Sequence, residues 1–255
     1  MRKIKLKINI LLIIGLFAYC EGISQTRVQV NIPSVESESN YVWRTIRDIK
    51  FFEQNNYLIS LPKGALIESL KSKSRYNNLS DEDFESLKIH MRDSVYNKID
   101  YQKGYAKIES ELALINKMIV QLDESERNWD FKTFDTYHIN LTLYGPGGSY
   151  NPNKGTILIY TSPKGDFKQY DNPANTIIHE IVHIGIEESI VSQFKIPHRL
   201  KERIVDNYVL LCFKGYLPNY RMQNMGDNRI DSYLKGKADL KNLSKFVAEI
   251  LKGKQ

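Results

Sequence analysis

Hydrophobic and polar residues follow two different periods along the chain. Apolar residues recur every three or four positions in several segments, which predicts amphipathic helices over residues 80–97, 100–122, 174–194, 198–213 and 240–252. Ser80 with Asp83 three positions later indicates a capping box at the start of the first helix. Asn172 followed by Pro173 is typical of a capped helix start. The pattern therefore predicts a mostly helical chain.

A period of two appears only in the middle of the chain. Residues 137–144 alternate apolar and polar positions, and residues 156–161 form a second short apolar run. The glycine-rich segment 145–148 separates them. Two strands joined in this way predict a small antiparallel β-sheet, so we expect an α+β fold. The polar residues 25–40 look like a leader or a first short strand.

Composition and charge narrow the class of protein. The 255 residues are 42% hydrophobic and 26% charged, which is typical of a folded globular protein. The formal net charge is +6, but four basic residues and one acidic residue lie in the first 24 positions, and the rest of the chain carries 32 basic and 29 acidic residues. This balance of +3, with no basic run of five or more, predicts neither nucleic acid nor an anionic membrane as a partner.

The first 24 residues have the features of a secretory signal peptide. A basic start precedes an apolar stretch over residues 8–19, which is too short to span a membrane stably, and small residues precede a cleavage site after Ser24. We expect an exported protein, periplasmic or secreted. Alternatively, Cys20 is the lipid-modified cysteine of a lipoprotein, although Tyr19 is bulky where such signals carry a small residue. Removal of Cys20 would leave Cys212 alone, so no intrachain disulfide is expected.

The strongest chemical signal is the sequence HEIVH, from His179 to His183. Residues four apart on a helix project about 40° from one another, so the two imidazoles can bind one cation. Glu180 projects to the side, where it can take a proton from a water molecule instead of binding the metal. Apolar flanking residues place this helix in a core, and an apolar setting strengthens the field of a metal.

A catalytic zinc site usually has three protein ligands, so a third must lie elsewhere. A metzincin is excluded because Ser189 stands where that class has its third histidine. Glu187 and Glu188 are close in sequence but reach the same ion only awkwardly from the same helix. Glu202 is better placed on the following helix, with Asp206 four positions later on the same face.

The combination HExxH…ExxxD resembles the gluzincin group of zinc metallopeptidases over residues 156–206. The resemblance implies one zinc per chain, Glu202 as the third ligand and Asp206 as the carboxylate that orients a ligand histidine. The chain departs from thermolysin at Lys201, where that enzyme has Asn. No histidine follows Glu202 to stabilise the transition state. The stabilising group is therefore one of several candidates: His198, Tyr208, Tyr216, Tyr220 and Arg221.

The same resemblance implies a zincin-like catalytic domain. In this organisation residues 1–24 are the signal peptide, 25–45 a leader or linker, 46–135 a helical N-terminal part and 136–255 the metal-binding part, with 46–255 forming one compact unit. Residues 156–161 are similar to the exposed strand on which such enzymes bind an extended substrate, and the equal alternative is a plain core strand.

The sequence therefore predicts an exported zinc-dependent peptidase that hydrolyses peptide or protein substrates with Glu180 as general base. The alternative is a non-catalytic exported binding protein that uses zinc for folding or has lost turnover. The intact Glu180 favours the enzyme, because a purely structural zinc site does not need it.

Overall fold

The computed structural model describes residues 27–168, 170–223 and 226–253. The expected signal peptide, its cleavage site and the alternative lipid site at Cys20 lie outside these ranges. Within them the chain folds into a mostly helical α+β structure with one small sheet.

The sheet of the described residues has four strands, β1 (Val28–Asn31), β2 (Tyr137–Thr142), β3 (Ser149–Asn151) and β4 (Thr156–Tyr160). Their spatial order is β1-β2-β4-β3. The pairs β1–β2 and β2–β4 are parallel, and only β3 runs antiparallel to its neighbour β4. The sheet is therefore mixed.

The prediction of an antiparallel pair formed by residues 137–144 and 156–161 is wrong. These segments are neighbours in the sheet but run parallel, with Ile139 opposite Ile157. The reason is β3, whose polar sequence Ser-Tyr-Asn has no readable period. The chain leaves β2, reverses into β3 at the edge and turns back as β4, so β2 and β4 point the same way.

In the described residues, five α-helices precede the second strand. They are α1 (Val35–Arg47), α2 (Ile49–Gln54), α3 (Ala65–Arg75), α4 (Asp81–His90) and α5 (Gln102–Asp123). Residues 25–45, expected to be a leader or linker, thus include β1 and most of α1. The capping box of α4 is confirmed, since Ser80 and Asp83 exchange side-chain-to-backbone hydrogen bonds. A π-turn over Met91–Val95 extends α4 towards the predicted end.

Three α-helices of the described ranges follow the sheet: α6 (Pro173–Ile186), α7 (His198–Phe213) and α8 (Leu243–Lys252). The Asn172 side chain caps α6 by accepting a hydrogen bond from the backbone N–H of Ala174. A π-turn over Glu187–Ser192 continues α6 beyond its last α-helical residue. The start of α7 after Pro197 agrees with the predicted one, because proline favours extended backbone before a helix.

Two hydrophobic clusters stabilise the fold. The larger one joins the sheet to α5, α6, α7 and α8, and the smaller one lies between α1, α3 and α4. Every residue of α6 is buried, which makes it the central helix of the larger cluster. Among the described residues no helix combines the length and the apolar character that a membrane span requires.

Candidate metal centre

The HEIVH sequence lies in the middle of α6, the central helix of the core. His179, Glu180 and His183 are 7%, 8% and 2% exposed, so three polar side chains are buried where apolar groups dominate. Burial of such groups is costly unless they have partners. Their partners come from α7 and from the edge of the sheet.

Glu202 on α7 completes a compact triad with the two histidines. Its Oε2 atom lies 3.5 Å from Nε2 of His179 and 3.4 Å from Nε2 of His183, and the two Nε2 atoms are 3.0 Å apart. In the described part of the chain this is the one group of three histidine, cysteine or acidic side chains placed to hold a metal ion. The residues predicted as ligands are therefore brought together.

The spacing of these atoms fits a metal ion. Ligand atoms about 2.0–2.1 Å from a tetrahedral zinc lie about 3.3 Å from one another, close to the three distances in the triad. Two imidazole nitrogens and one carboxylate oxygen lie within 4.8 Å of one another, as the donor atoms of one metal ion would. The donor set of two histidines and one glutamate suits zinc and related divalent metals.

The electrostatics of the triad favour a cation. Burial opposes ionisation of Glu202, but its contacts with His179 and His183 outweigh that effect and hold its pKa well below the ordinary value. Burial lowers the pKa of His183 to about 4, so this imidazole is neutral and can bind a metal. Burial also disfavours the charged form of His179, yet the nearby carboxylates of Glu202, Glu180 and Asp206 raise its pKa.

A tyrosine connects His179 to Asp206. The hydroxyl of Tyr220 lies 2.6 Å from Nδ1 of His179 and 2.8 Å from Oδ1 of Asp206, while the direct distance between Nδ1 and Oδ1 is 3.6 Å. The other carboxylate oxygen of Asp206 accepts a hydrogen bond from the backbone N–H of Gln223. Asp206 was expected to orient a ligand histidine, and the structure places Tyr220 between the two.

Glu180 lies beside the triad against the glycine-rich loop. A β-carbon built on Gly148 would be 2.7 Å from Oε1 of Glu180, so only a glycine leaves space for this carboxylate. Burial raises the pKa of Glu180 to about 7, with the nearby Glu202 adding to the effect. A carboxyl group of that pKa exchanges protons near neutral pH.

The triad opens into a cleft with a cavity of about 280 Å³. One wall is the edge strand β3 with the preceding Gly148, and the other includes the first turns of α7. The cleft is lined by Tyr57, Gly148, Ser149, Tyr150, His179, Glu180, His183, His198, Lys201, Glu202 and Gln223.

Reasoning from sequence missed several cleft residues, among them Tyr150 and Lys201. The ring of Tyr150 stacks on His183 with centroids 4.9 Å apart. Its hydroxyl donates a hydrogen bond to Glu187 at 2.6 Å and accepts one from the Lys201 ammonium at 3.0 Å. Lys201 could have been found from the sequence, because it directly precedes the candidate ligand Glu202. Tyr150 could not, because the polar three-residue strand that contains it has no recognisable pattern.

The residues predicted as candidate transition-state stabilisers differ in whether they line the cleft. Only His198 lines the cleft, with its Nδ1 atom 3.4 Å from Oε1 of Glu202. Tyr220 lies behind His179, as described above. Tyr208 packs against Trp129 and Phe131.

Two further candidates also lie outside the cleft lining. The hydroxyl of Tyr216 accepts a hydrogen bond from Gln121. Arg221 lies over the ring of Tyr170.

The alternative third ligands do not join the triad. Glu187 is held by the hydroxyl of Tyr150, and Glu188 is 82% exposed near Lys132. Both residues lie in the π-helical turn Glu187–Ser192 that follows α6.

The prediction that residues 156–161 form an exposed strand for substrate binding is wrong, and the alternative of a core strand is correct. Strand β4, residues 156–160, is internal because it pairs with β2 on one side and β3 on the other. The edge strand next to the triad is β3. An extended ligand would therefore pair with β3 instead of β4.

A larger cavity of about 360 Å³ lies elsewhere, lined in part by Arg127, Tyr208 and Cys212. Burial raises the pKa of Cys212 to about 11, so its thiol is protonated at neutral pH and is a poor nucleophile. The triad lies in the smaller cleft of about 280 Å³.

Comparisons with known proteins give no match, whether with family models, curated proteins or solved structures. The functional interpretation therefore depends on the geometry of the site.

Proposed function

We propose that this protein is an exported zinc-dependent peptidase. The observation that carries the proposal is the buried His179–His183–Glu202 triad with Glu180 beside it, open to a cleft along the edge strand β3. Export is supported by the signal-like residues 1–24. The cleft and the free strand edge suit an extended polypeptide.

The triad supports catalysis better than a purely structural role. Structural zinc sites are almost always closed by four protein ligands, whereas catalytic sites keep a position for water or substrate. Three ligands converge here among the described residues, and the cleft gives access to the remaining position. A buried glutamate that does not bind the metal has an obvious use only in catalysis.

When bound, zinc supplies a Lewis acid that polarises water and the carbonyl of the scissile peptide bond. Glu180 accepts the proton of the attacking water and passes it to the leaving amine. Tyr220 and Asp206 hold His179 in the tautomer with a proton on Nδ1, so that Nε2 is free to bind the metal. Stacking by Tyr150 fixes the plane of His183.

Lys201 is the cation placed to stabilise the oxyanion that develops during hydrolysis. It lines the cleft and is held by the hydroxyl of Tyr150 at 3.0 Å, which directs the ammonium towards the wall formed by β3. A preorganised donor of this kind typically contributes about 10²–10³ to the rate. We therefore assign stabilisation of the oxyanion to Lys201, and His198 is the second candidate in the cleft.

The central test compares metal content and hydrolysis in purified residues 25–255. We expect about one zinc per wild-type chain, loss of zinc in Glu202→Ala, and retention of zinc with loss of peptide hydrolysis in Glu180→Gln. Glu188→Gln is the matched control, because Glu188 is 82% exposed and should change neither property. Undiminished hydrolysis by Glu180→Gln, or zinc bound equally by Glu202→Ala, would overturn the mechanism.

The role of Lys201 has its own test. Lys201→Met should lower kcat on the order of 10²–10³-fold with little change in KM and in zinc content, and Lys201→Arg should recover part of the loss. Steady-state kinetics on a peptide cleaved by the wild type measures both parameters. A rise in KM at constant kcat would instead assign Lys201 to substrate binding. His198→Gln serves as the comparison within the same cleft.

A further inference from the structure

The segment from α2 to residue 58 exposes an unusual amount of apolar surface. Phe51, Tyr57 and Leu58 are 56%, 39% and 82% exposed, and they are three of the seven large apolar side chains exposed in the described ranges. The rings of Phe51, Phe52 and Tyr57 contact one another with centroids 5.6–6.1 Å apart. We call Phe51, Phe52, Tyr57 and Leu58 the apolar rim. Clustered exposed apolar groups commonly mark a binding surface.

The apolar rim is continuous with the metal cleft. Tyr57 itself lines the cleft together with Gly148. Ser60, two residues after the rim, forms an antiparallel bridge with Gly145 through two backbone hydrogen bonds of 2.7 and 3.0 Å. This bridge fixes the rim beside the loop that leads into β3.

Two further interactions hold the rim in place. The Lys168 ammonium donates hydrogen bonds to the backbone oxygens of Leu58 and Pro146, which joins the rim to the same loop. Arg75 on α3 pairs with Glu53 on α2, next to the phenylalanines. The apolar side chains are thus presented on an anchored segment, and packing of α2 against its neighbours does not cover them.

We propose that the apolar rim binds a bulky apolar side chain of the polypeptide substrate, at a position C-terminal to the bond that is cleaved. The inference rests on the proposed peptidase function and adds the substrate class to it. The preferred substrates are extended polypeptides with an aromatic or large aliphatic residue shortly after the scissile bond.

The direction follows from the orientation of β3. The outer edge of β3 faces no strand of the described sheet, so an extended chain can pair with it. Antiparallel pairing is the more stable arrangement and would run the substrate from Asn151 towards Ser149. Glu180 and the triad lie next to Gly148 and Tyr150, which places the reacting bond there. The residues that follow this bond then reach the loop at Gly145 and the rim beyond it.

The test uses two quenched fluorescent peptides that differ only in one residue placed one to three positions after the cleaved bond, Phe in one and Ala in the other. Wild-type enzyme should prefer the Phe peptide by about tenfold or more in kcat/KM, as expected for a bulky apolar group in a complementary site. The double variant Phe51→Ser, Leu58→Ser should lose this preference, because its kcat/KM on the Phe peptide should fall to the value that it has on the Ala peptide. The control variant Tyr76→Ser, Ile99→Ser alters two residues that are each 74% exposed outside the rim, and it should retain the preference.

Binding to the inactive Glu180→Gln variant separates the two proposals. Fluorescence anisotropy with the same peptides should show tighter binding of the Phe peptide, lost in the rim double variant. Discrimination in binding without any hydrolysis by wild type would overturn the peptidase and leave the rim as a peptide-binding surface.

Other outcomes would overturn the rim proposal. Hydrolysis with equal rates on both peptides would do so, as would a preference that appears only before the cleaved bond. An unchanged preference in the rim variant, together with loss of self-association in sedimentation or of binding to phosphatidylglycerol vesicles, would assign the rim to a second copy or to a lipid surface.

Discussion

At the scale of single residues, the two histidines of the triad are oriented by different means. His179 makes a hydrogen bond through Tyr220 to the buried Asp206. His183 has no hydrogen-bond partner for Nδ1 within the described residues and is instead stacked on Tyr150. A hydrogen bond fixes the tautomer as well as the ring plane, whereas stacking fixes the plane alone. The tautomer of His179 is therefore set by its hydrogen bond to Tyr220.

Replacing the connecting tyrosine should weaken metal binding. Tyr220→Phe removes the acceptor for Nδ1–H of His179 and the donor to Asp206, so we expect zinc affinity to fall on the order of 10–100-fold. Competition with a chromophoric chelator measures the affinity. Tyr216→Phe is the control, because its hydroxyl bonds to Gln121 away from the cleft. Equal affinities in Tyr220→Phe and wild type would show that the ligand needs no such partner.

At the scale of secondary-structure elements, the site depends on how closely β3 and its loop approach α6. Gly148 is the closest point, where an added β-carbon would lie 2.7 Å from Oε1 of Glu180 and 3.2 Å from Cγ2 of Thr176. The glutamate carboxylate is the flexible end of its side chain, so it would move before the backbone does.

Gly148→Ala should therefore act on catalysis and leave folding intact. A displacement of Glu180 by about 1 Å is expected to lower kcat on the order of 100-fold. Zinc content and thermal midpoint should stay near the wild-type values, which atomic absorption and calorimetry can check. Gly215→Ala is the matched control, because an added β-carbon there meets no atom within 4 Å. Full activity in Gly148→Ala would mean that Glu180 does not need its present position.

At the scale of the whole molecule, one buried carboxylate joins the N-terminal helices to the sheet. Glu38 on α1 is 1% exposed. Its Oε1 atom accepts hydrogen bonds from the hydroxyls of Tyr101 and Thr142 and from the backbone N–H of Leu143. Burial raises the pKa of Glu38 above 4.5 despite these donors. Ionised Glu38 therefore costs folding free energy that the protonated form does not.

This shift predicts a pH-dependent difference in stability. Below pH 4.5 the carboxyl is protonated in both folded and unfolded chains, so it carries no penalty, and stability is lost as pH rises through the raised folded-state pKa. Glu38→Gln keeps an acceptor and does not titrate, so its free energy of unfolding should increase relative to wild type between pH 4 and pH 7. Urea denaturation of zinc-free protein measures it.

The control for that experiment is Glu36→Gln on the same helix, whose side chain is exposed. This variant removes a carboxylate at an exposed position of the same helix, so it controls for the loss of one negative charge. A difference from wild type that stays constant with pH for Glu38→Gln would contradict a raised pKa of Glu38.

The sequence by itself determined the local elements and the spacing within them. Helix periodicity located α5, α6 and α7, and the capping signals at Ser80 and Asn172 marked two helix starts, because these features depend on neighbours three or four residues apart. The HEIVH spacing placed two histidines on one helical face for the same reason.

Only the tertiary structure decided how distant segments meet. The parallel pairing of β2 with β4, the edge position of β3, and the contact of Tyr150 with His183 and Lys201 all join residues far apart in sequence. So does the insertion of Tyr220 between His179 and Asp206. Such contacts arise from tertiary packing between distant segments, and no local period encodes them.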